Sequence, residues 1–258
     1  MIFEFDGERY ARASKHQKEW GNRVISEFRF RGDERILDLG CGDGALTEQL
    51  ASMLTEGIVI GIDASKGMID EAQKRKKRNL SFKLMDINHL NFSEKFDLVF
   101  SNATLHWIKD HKRLLTRICD ILNEEGTIRF NFAGEGNCRN FNRIVVDSMK
   151  QKEFASYFAR FEWPWYMPSR DEYAALLEQF PFRKIDVWEE NADRYFSNPD
   201  EMTGWIDQPS IVPFLVSLDE PYRREFRKRV VERMIDETLQ EDGTCFETFR
   251  RINVFAKT

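Results

Sequence analysis

Ile36-Leu37-Asp38-Leu39-Gly40-Cys41-Gly42-Asp43-Gly44 places an acid near the end of an apolar run, then three alternate glycines; Asp63 stands nineteen residues beyond the last of them. Residues of these types at this spacing hold a ligand. Side chains at Gly40, Gly42 and Gly44 would keep the backbone from closing on it. A second apolar run, Ile58-Val59-Ile60-Gly61-Ile62-Asp63, puts a carboxylate at a strand end, where it can hold both hydroxyls of a ribose. Together the two segments describe a nucleoside cofactor lying across neighbouring strands.

Glycine spacing narrows the cofactor. Dinucleotide sites use G-x-G-x-x-G and seat a pyrophosphate on a helix N-terminus. Here the spacing is G-x-G-x-G with Asp38 just before it. That carboxylate is awkward for a phosphate and suits a cationic ammonium. S-adenosylmethionine carries an amino acid and a ribose-adenine, and no phosphate. At these residues the chain resembles the class I S-adenosylmethionine-dependent methyltransferases, whose first motif is an acid, an apolar residue and G-x-G-x-G. The competing readings are a dinucleotide site and an ordinary glycine-rich turn; Asp38 with the spacing argues against the first, Asp63 against the second.

The elements that must position these residues alternate. Strands are predicted at 35–39, 57–63, 81–85, 96–100 and 127–132, with helices at 44–54, 66–78 and 110–122 and a turn at 123–126. Such alternation implies an α/β fold, a parallel sheet with helices on both faces. Right-handed crossovers bring the strands' C-terminal ends to one edge, where ligands bind. Gly40–Gly44, Asp63, Asp86 and Ser101-Asn102-Ala103 all fall at such ends. A helix over 8–29 precedes the sheet, and the basic run Lys74–Arg78 reads as a solvated helix end favoured by the macrodipole.

Beyond residue 133 the pattern changes. Residues 138–168 read as aromatic and irregular, followed by a helix at 170–180, a strand near 183–190, a helix at 221–240 and a last strand at 248–257. Tyr222, Phe226, Val230, Met234 and Thr238 form one stripe of the long helix, the pattern of a packed face. The predicted organisation is an N-terminal helix and cofactor core (1–133), a first lid segment (134–181), a core strand (182–190), a second lid segment (191–246) and a terminal core strand (247–258).

Composition bounds the rest. A hydrophobic content of 41% over 258 residues supports a sizeable core, and a net charge of −5 disfavours a nucleic-acid partner. Cys41, Cys119, Cys138 and Cys245 show no metal-ligand spacing and read as reduced thiols. No apolar run approaches the ~20 residues that span a bilayer, and the opening Met-Ile-Phe-Glu-Phe-Asp shows no signal-peptide pattern. The expectation is a cytoplasmic protein with no metal and no membrane contact.

Three further segments sharpen the resemblance: Tyr10, Ser14, Gln17 and Trp20 before the first strand; Ser101-Asn102-Ala103 with His106-Trp107 after the fourth; and Trp205, Pro213-Phe214-Leu215, Asp242-Gly243 and Phe249-Arg250-Arg251 with Val254 near the end. This combination is similar to the carboxyl-methylating group that contains the trans-aconitate, juvenile hormone acid and malonyl-acyl-carrier-protein methyltransferases. The resemblance implies a Rossmann-like sheet of seven strands, the last antiparallel, with a helical lid. It also implies a cofactor site: Asp38, Gly40, Cys41, Gly42 and Gly44 on the methionine moiety, and Asp63 on the ribose. Ala64 and Met68 would flank the adenine, Asp86 and Ile87 read its amine, and Ser101, Asn102 and Ala103 lie beneath the sulfonium. Tyr10, Ser14 and Gln17 would lie over the cofactor, which leaves as S-adenosylhomocysteine.

His106, Trp107, Arg251 and Trp205 are the candidate substrate contacts, with His106, Trp107 and Gln17 nearest the chemistry; Arg143, Arg170 and Arg194 are weaker candidate cations. A carboxylate acceptor with a pKa of ~4 is ionised at pH 7 and needs no base. An amine or phenol acceptor would instead make His106 the leading base. A cofactor-binding module without turnover is the reading outside enzymology. The sequence leaves open the acceptor's identity, the oligomeric state and any movement of the lid.

Overall fold

The computed structural model describes residues 15–258. Its order is α1 (Lys15–Ser26), β1 (Arg35–Leu39), α2 (Ala45–Ser52), β2 (Ile58–Asp63), α3 (Lys66–Ala72), β3 (Leu80–Leu84), β4 (Phe96–Asn102), α4 (His111–Ile121) and β5 (Leu122–Ala133). There follow α5 (Arg139–Met149), α6 (Arg170–Leu177), β6 (Lys184–Asn191), β7 (Arg194–Phe196), α7 (Pro199–Trp205), a helical turn at Val212–Leu215, α8 (Glu220–Thr238), β8 (Cys245–Glu247) and β9 (Arg250–Lys257). Seven strands form one sheet in the order β3-β2-β1-β4-β5-β9-β6. β1 to β5 run parallel and β9 runs antiparallel to β5, the expected architecture.

Successive strand residues point to opposite faces, so each strand feeds two cores. One face gathers Leu37, Val99, Ile128, Phe130 and Val254 under Leu114, Leu115 and Ile118 of α4 and Tyr173 and Leu177 of α6. The other packs Ile36, Val59, Leu98 and Phe100 against Val24 and Ile25 of α1, Leu50 of α2 and Ile69 of α3. Each fully buried aliphatic side chain contributes roughly 1.5–3 kcal/mol. Local caps mark the helix starts: Ser65 accepts from the Met68 amide, Asp110 from Arg113 and Ser169 from Glu172.

The chain divides into two compact units. Among the described residues, the first holds the seven-stranded sheet and comprises 15–135, 165–190 and 251–258; the second comprises 136–164 and 191–250. Residues 165–181, grouped with the first insert on sequence grounds, therefore belong with the sheet. In the second unit β7 pairs with β8, and α8 buries Phe226, Val230, Met234 and Thr238 while Tyr222 stays exposed.

Two local expectations are corrected. The stretch read as irregular from 138 contains α5, with Phe141, Ile144, Val145 and Ser148 buried at helical spacing. Its start carries no local signal, because Cys138 offers no side-chain cap and sits at φ 52°. The capping acceptor is the distant Glu247 carboxylate, which takes the Asn140 and Phe141 amides at 3.2 and 2.8 Å. The basic run is also more than a solvated helix end, since Arg75 and Lys77 reach back to Glu48 of α2 at 2.9 and 2.7 Å. No helix among the described residues is long and apolar enough to cross a membrane.

Candidate functional site

At the C-terminal end of β1 the chain turns through Gly40 at φ 75°, a conformation that disfavours side chains. A Cβ at Gly40 would fall 2.1 Å from Thr104 Cγ2, and one at Gly44 (φ 78°) 2.7 Å from Phe82 Cζ. These two glycines are thus demanded by the protein's own packing. The Gly40 and Cys41 amides donate to the Ile62 carbonyl at 2.8 and 2.9 Å, drawing the loop onto the end of β2. There the Asp63 carboxylate is fixed through both oxygens, by the Gly42 amide at 3.0 Å and the Ser65 amide at 2.9 Å.

Asp38 is 2% exposed and accepts from Thr47 Oγ1 at 2.7 Å. Burial pushes its carboxyl up to about 7, with Thr47 opposing and Asp63 adding to the rise. Among the described residues no cation offsets that shift. After β3, Asp86 accepts from the amide and Nδ2 of Asn88 at 2.8 and 2.9 Å, and Ile87 beside it is buried. Met68 lies buried in α3, next to the loop that carries Ala64. This donor set fits a ligand with an ammonium, ribose hydroxyls and no phosphate. A phosphate would face three carboxylates, whereas an ammonium would relieve the burial of Asp38.

The floor is knitted from β4. Ser101 Oγ donates to the Leu39 carbonyl at 2.8 Å, and buried Asn102 ends the strand. Ala103, at φ 57°, gives its amide to the Asn131 carbonyl at 2.7 Å. Burial, with Asp63 next, pushes the Cys41 thiol well up, which removes it as a nucleophile. Tyr10 and Ser14 lie outside the described residues, as does the side chain of Gln17.

A clamp on the glycine loop escaped the sequence reading. Asp43 takes Lys18 Nζ of α1 at 2.8 Å, and its carbonyl takes Arg75 Nε at 2.9 Å. The same Arg75 reaches Glu48 in α2. The basic run held the signal, but its partners lie some thirty residues away in sequence.

His106 and Trp107 occupy a 3-10 turn, Leu105–Trp107, after β4. The His106 Nδ1 atom is buried and has no hydrogen-bond partner among the described residues. Burial first, then the charge of Arg251 and the nearby His111, lower its pKa to about 3, so the ring is neutral at physiological pH. Trp107 lies 5.5 Å from the His106 ring and meets Trp165 edge-on at 5.7 Å.

Arg251 stands opposite Ala133 at the C-terminal end of β5. Because β9 is antiparallel, its first residues lie at the edge where the parallel strands finish. The buried guanidinium stacks 4.4 Å from the Trp20 ring centroid and gives Nε and Nη2 to Asn131 Oδ1 at 2.9 and 2.6 Å. The other candidates have the following partners. Trp205 is a core side chain of the second unit, 5.4–5.7 Å from the rings of Phe196, Phe249 and Phe141. Arg143 pairs with Glu237 and Arg170 with Asp171, and Arg194 opens β7.

Residues 31–167 match the family model described as a methyltransferase domain. Two relatives named trans-aconitate 2-methyltransferase are each 29% identical. The one from Pseudomonas aeruginosa aligns over 86% of this chain and 82% of its own length, and the one from Deinococcus radiodurans over 72% of each. An uncharacterized methyltransferase of Schizosaccharomyces pombe is 28% identical over 90% of both chains. Among solved structures, the YcgJ protein of Bacillus superposes with a TM-score of 0.65 at 15% identity, covering 93% of this chain and 98% of that one.

Proposed function

The chain belongs to the methyltransferase-domain family, and on that premise we propose that it converts small carboxylic acids to methyl esters. It is an S-adenosylmethionine-dependent methyltransferase acting on a small molecule. The cofactor supplies an activated methyl group on a sulfonium. Asp38 and the glycine loop hold its ammonium, and Asp63 takes the ribose hydroxyls. Asp86 and Ile87 read the adenine amine, which Ala64 and Met68 flank. Ser101, Asn102 and Ala103 line the floor beneath the sulfonium.

One observation carries the choice of acceptor: a buried guanidinium, that of Arg251, at the ligand edge of the sheet beside His106. A carboxylate there is already ionised, so no proton need move. The remaining task is to hold nucleophile and methyl in line with water excluded. His106 and Trp107 then serve as neutral contacts to the acceptor. The names of the trans-aconitate relatives support the same acceptor class. An amine or phenol acceptor would need His106 as base, and a ring whose pKa is lowered to about 3 is poorly matched to that task.

The test is transfer from methyl-labelled S-adenosylmethionine to pooled carboxylic acids, amines and phenols, followed by mild base. Label released as volatile methanol supports ester formation. Label held in base-stable products overturns it.

A further inference from the structure

Arg251 is one end of a buried polar chain that crosses two strands. Arg129 and Asn131 of β5 share a face with Arg251 and Asn253 of β9, Asn131 lies directly opposite Asn253, and all four are buried. The other face of the same strands carries Ile128, Phe130, Phe132, Ile252 and Val254.

Hydrogen-bond chemistry sets the direction of each amide. Arg129 has only donors, so the Asn253 atom 3.1 Å from its Nη2 is the carbonyl oxygen. That oxygen lies 2.8 Å from the Asn131 side chain, which must therefore present its NH2. Asn131 is left with its oxygen turned to Arg251, where Nε and Nη2 both donate. A second constraint agrees, since Asn253 Nδ2 faces the acceptor-only Glu190 carboxylate at 3.2 Å. Arg129 is itself held by both oxygens of Glu27, at 3.0 and 3.1 Å, and by the Phe130 carbonyl at 2.8 Å. A neutral amide orients the guanidinium without cancelling its charge, which a carboxylate at position 131 would do.

We propose that Asn131 is the positioning residue that aims Arg251 at the acceptor carboxylate, with its amide oriented by a relay from Arg129 through Asn253. This rests on the carboxyl-transfer reading above and adds the determinant of acceptor affinity.

The experiment compares Asn253→Asp with Asn253→Leu, at a residue whose side-chain hydrogen bonds among the described residues go to Arg129, Asn131 and Glu190. Asn253→Asp, made together with Glu190→Gln so that an amide and a carboxylate still face each other there, keeps an acceptor oxygen for both Arg129 and Asn131, whereas Asn253→Leu removes it and frees the Asn131 amide to rotate. The acceptor KM is expected to stay within about twofold in Asn253→Asp and to rise about tenfold in Asn253→Leu. The dissociation constant for S-adenosylhomocysteine should stay unchanged in both. An unchanged KM in Asn253→Leu, or equal losses in both variants with weakened S-adenosylhomocysteine binding, overturns the proposal.

The Nε–H resonance of Arg251 in nitrogen-15-labelled protein tests the positioning without any acceptor. It should be sharp and slowly exchanging in the wild type and in Asn253→Asp, and broadened in Asn253→Leu; no difference overturns the relay. A wild-type enzyme that forms no ester overturns the functional reading instead, and this resonance still judges the relay.

Discussion

A carboxyl pushed up to about 7 by burial, as that of Asp38 is, holds a cation only after giving up its proton. Below pH 7 the binding of an ammonium therefore releases a proton, and affinity should fall by up to about tenfold per pH unit. Calorimetry of S-adenosylhomocysteine binding from pH 5.5 to 8 should show this slope, flat above about 7, and Asn at position 38 should abolish both slope and most affinity. The same group loads the apo fold in a known direction. Its folded pKa lies above the ordinary carboxyl value of 3.8, so its contribution to stability is present below that value and is lost as pH rises to about 7. Asp38→Asn, which keeps an acceptor for Thr47, should stabilise the apo protein at pH 8 by on the order of 4 kcal/mol at most, read as a higher melting temperature. A lower melting temperature there would show that the carboxylate is already compensated. The places of most cofactor candidates were legible because each follows a strand end within a few residues. Asn131 was not, because its role requires knowing that residue 131 faces residue 253.

The glycine loop shows how elements share the work of holding a ligand. α1, through Lys18, and the 3-10 turn Gln73–Arg75 after α3 both fasten Asp43, while Arg75 also ties α2. Arg75→Ala leaves the ligand-facing residues intact, yet should weaken S-adenosylhomocysteine binding about three- to tenfold through loss of this preorganisation. Unchanged affinity would mean that the loop holds its shape without the clamp. Helices with their own caps, such as α4 behind Asp110 and α6 behind Ser169, were predictable to within a few residues. α5 was not, and for a physical reason: its first amides are satisfied by Thr248 and Glu247, about a hundred residues away. Sequence windows see periodicity and local caps, and they are blind to a cap delivered by another strand.

At the scale of the molecule, alternation of strands and helices was enough to predict the parallel part of the sheet, while the antiparallel last strand was expected only from the family resemblance. What alternation could not supply was the polar face of β5 and β9, where Arg129 joins Glu27, Asn253 and the Trp188 ring. Arg129→Met keeps the buried stem and removes these bonds. It should destabilise the fold by about 1–3 kcal/mol in chemical denaturation, since Glu27 can turn to water; no loss would mean that packing alone holds this face. The placing of β9 between β5 and β6 also has a bearing on synthesis. The ribosome delivers β6 well before the strand that must separate it from β5. Until β9 emerges, β6 has no native neighbour in the sheet and β5 keeps an open edge, a hazard for pairing with other nascent chains. The late strand also carries Arg251, so the step that closes the sheet is the one that installs the acceptor's cation, and a prematurely terminated chain would have neither.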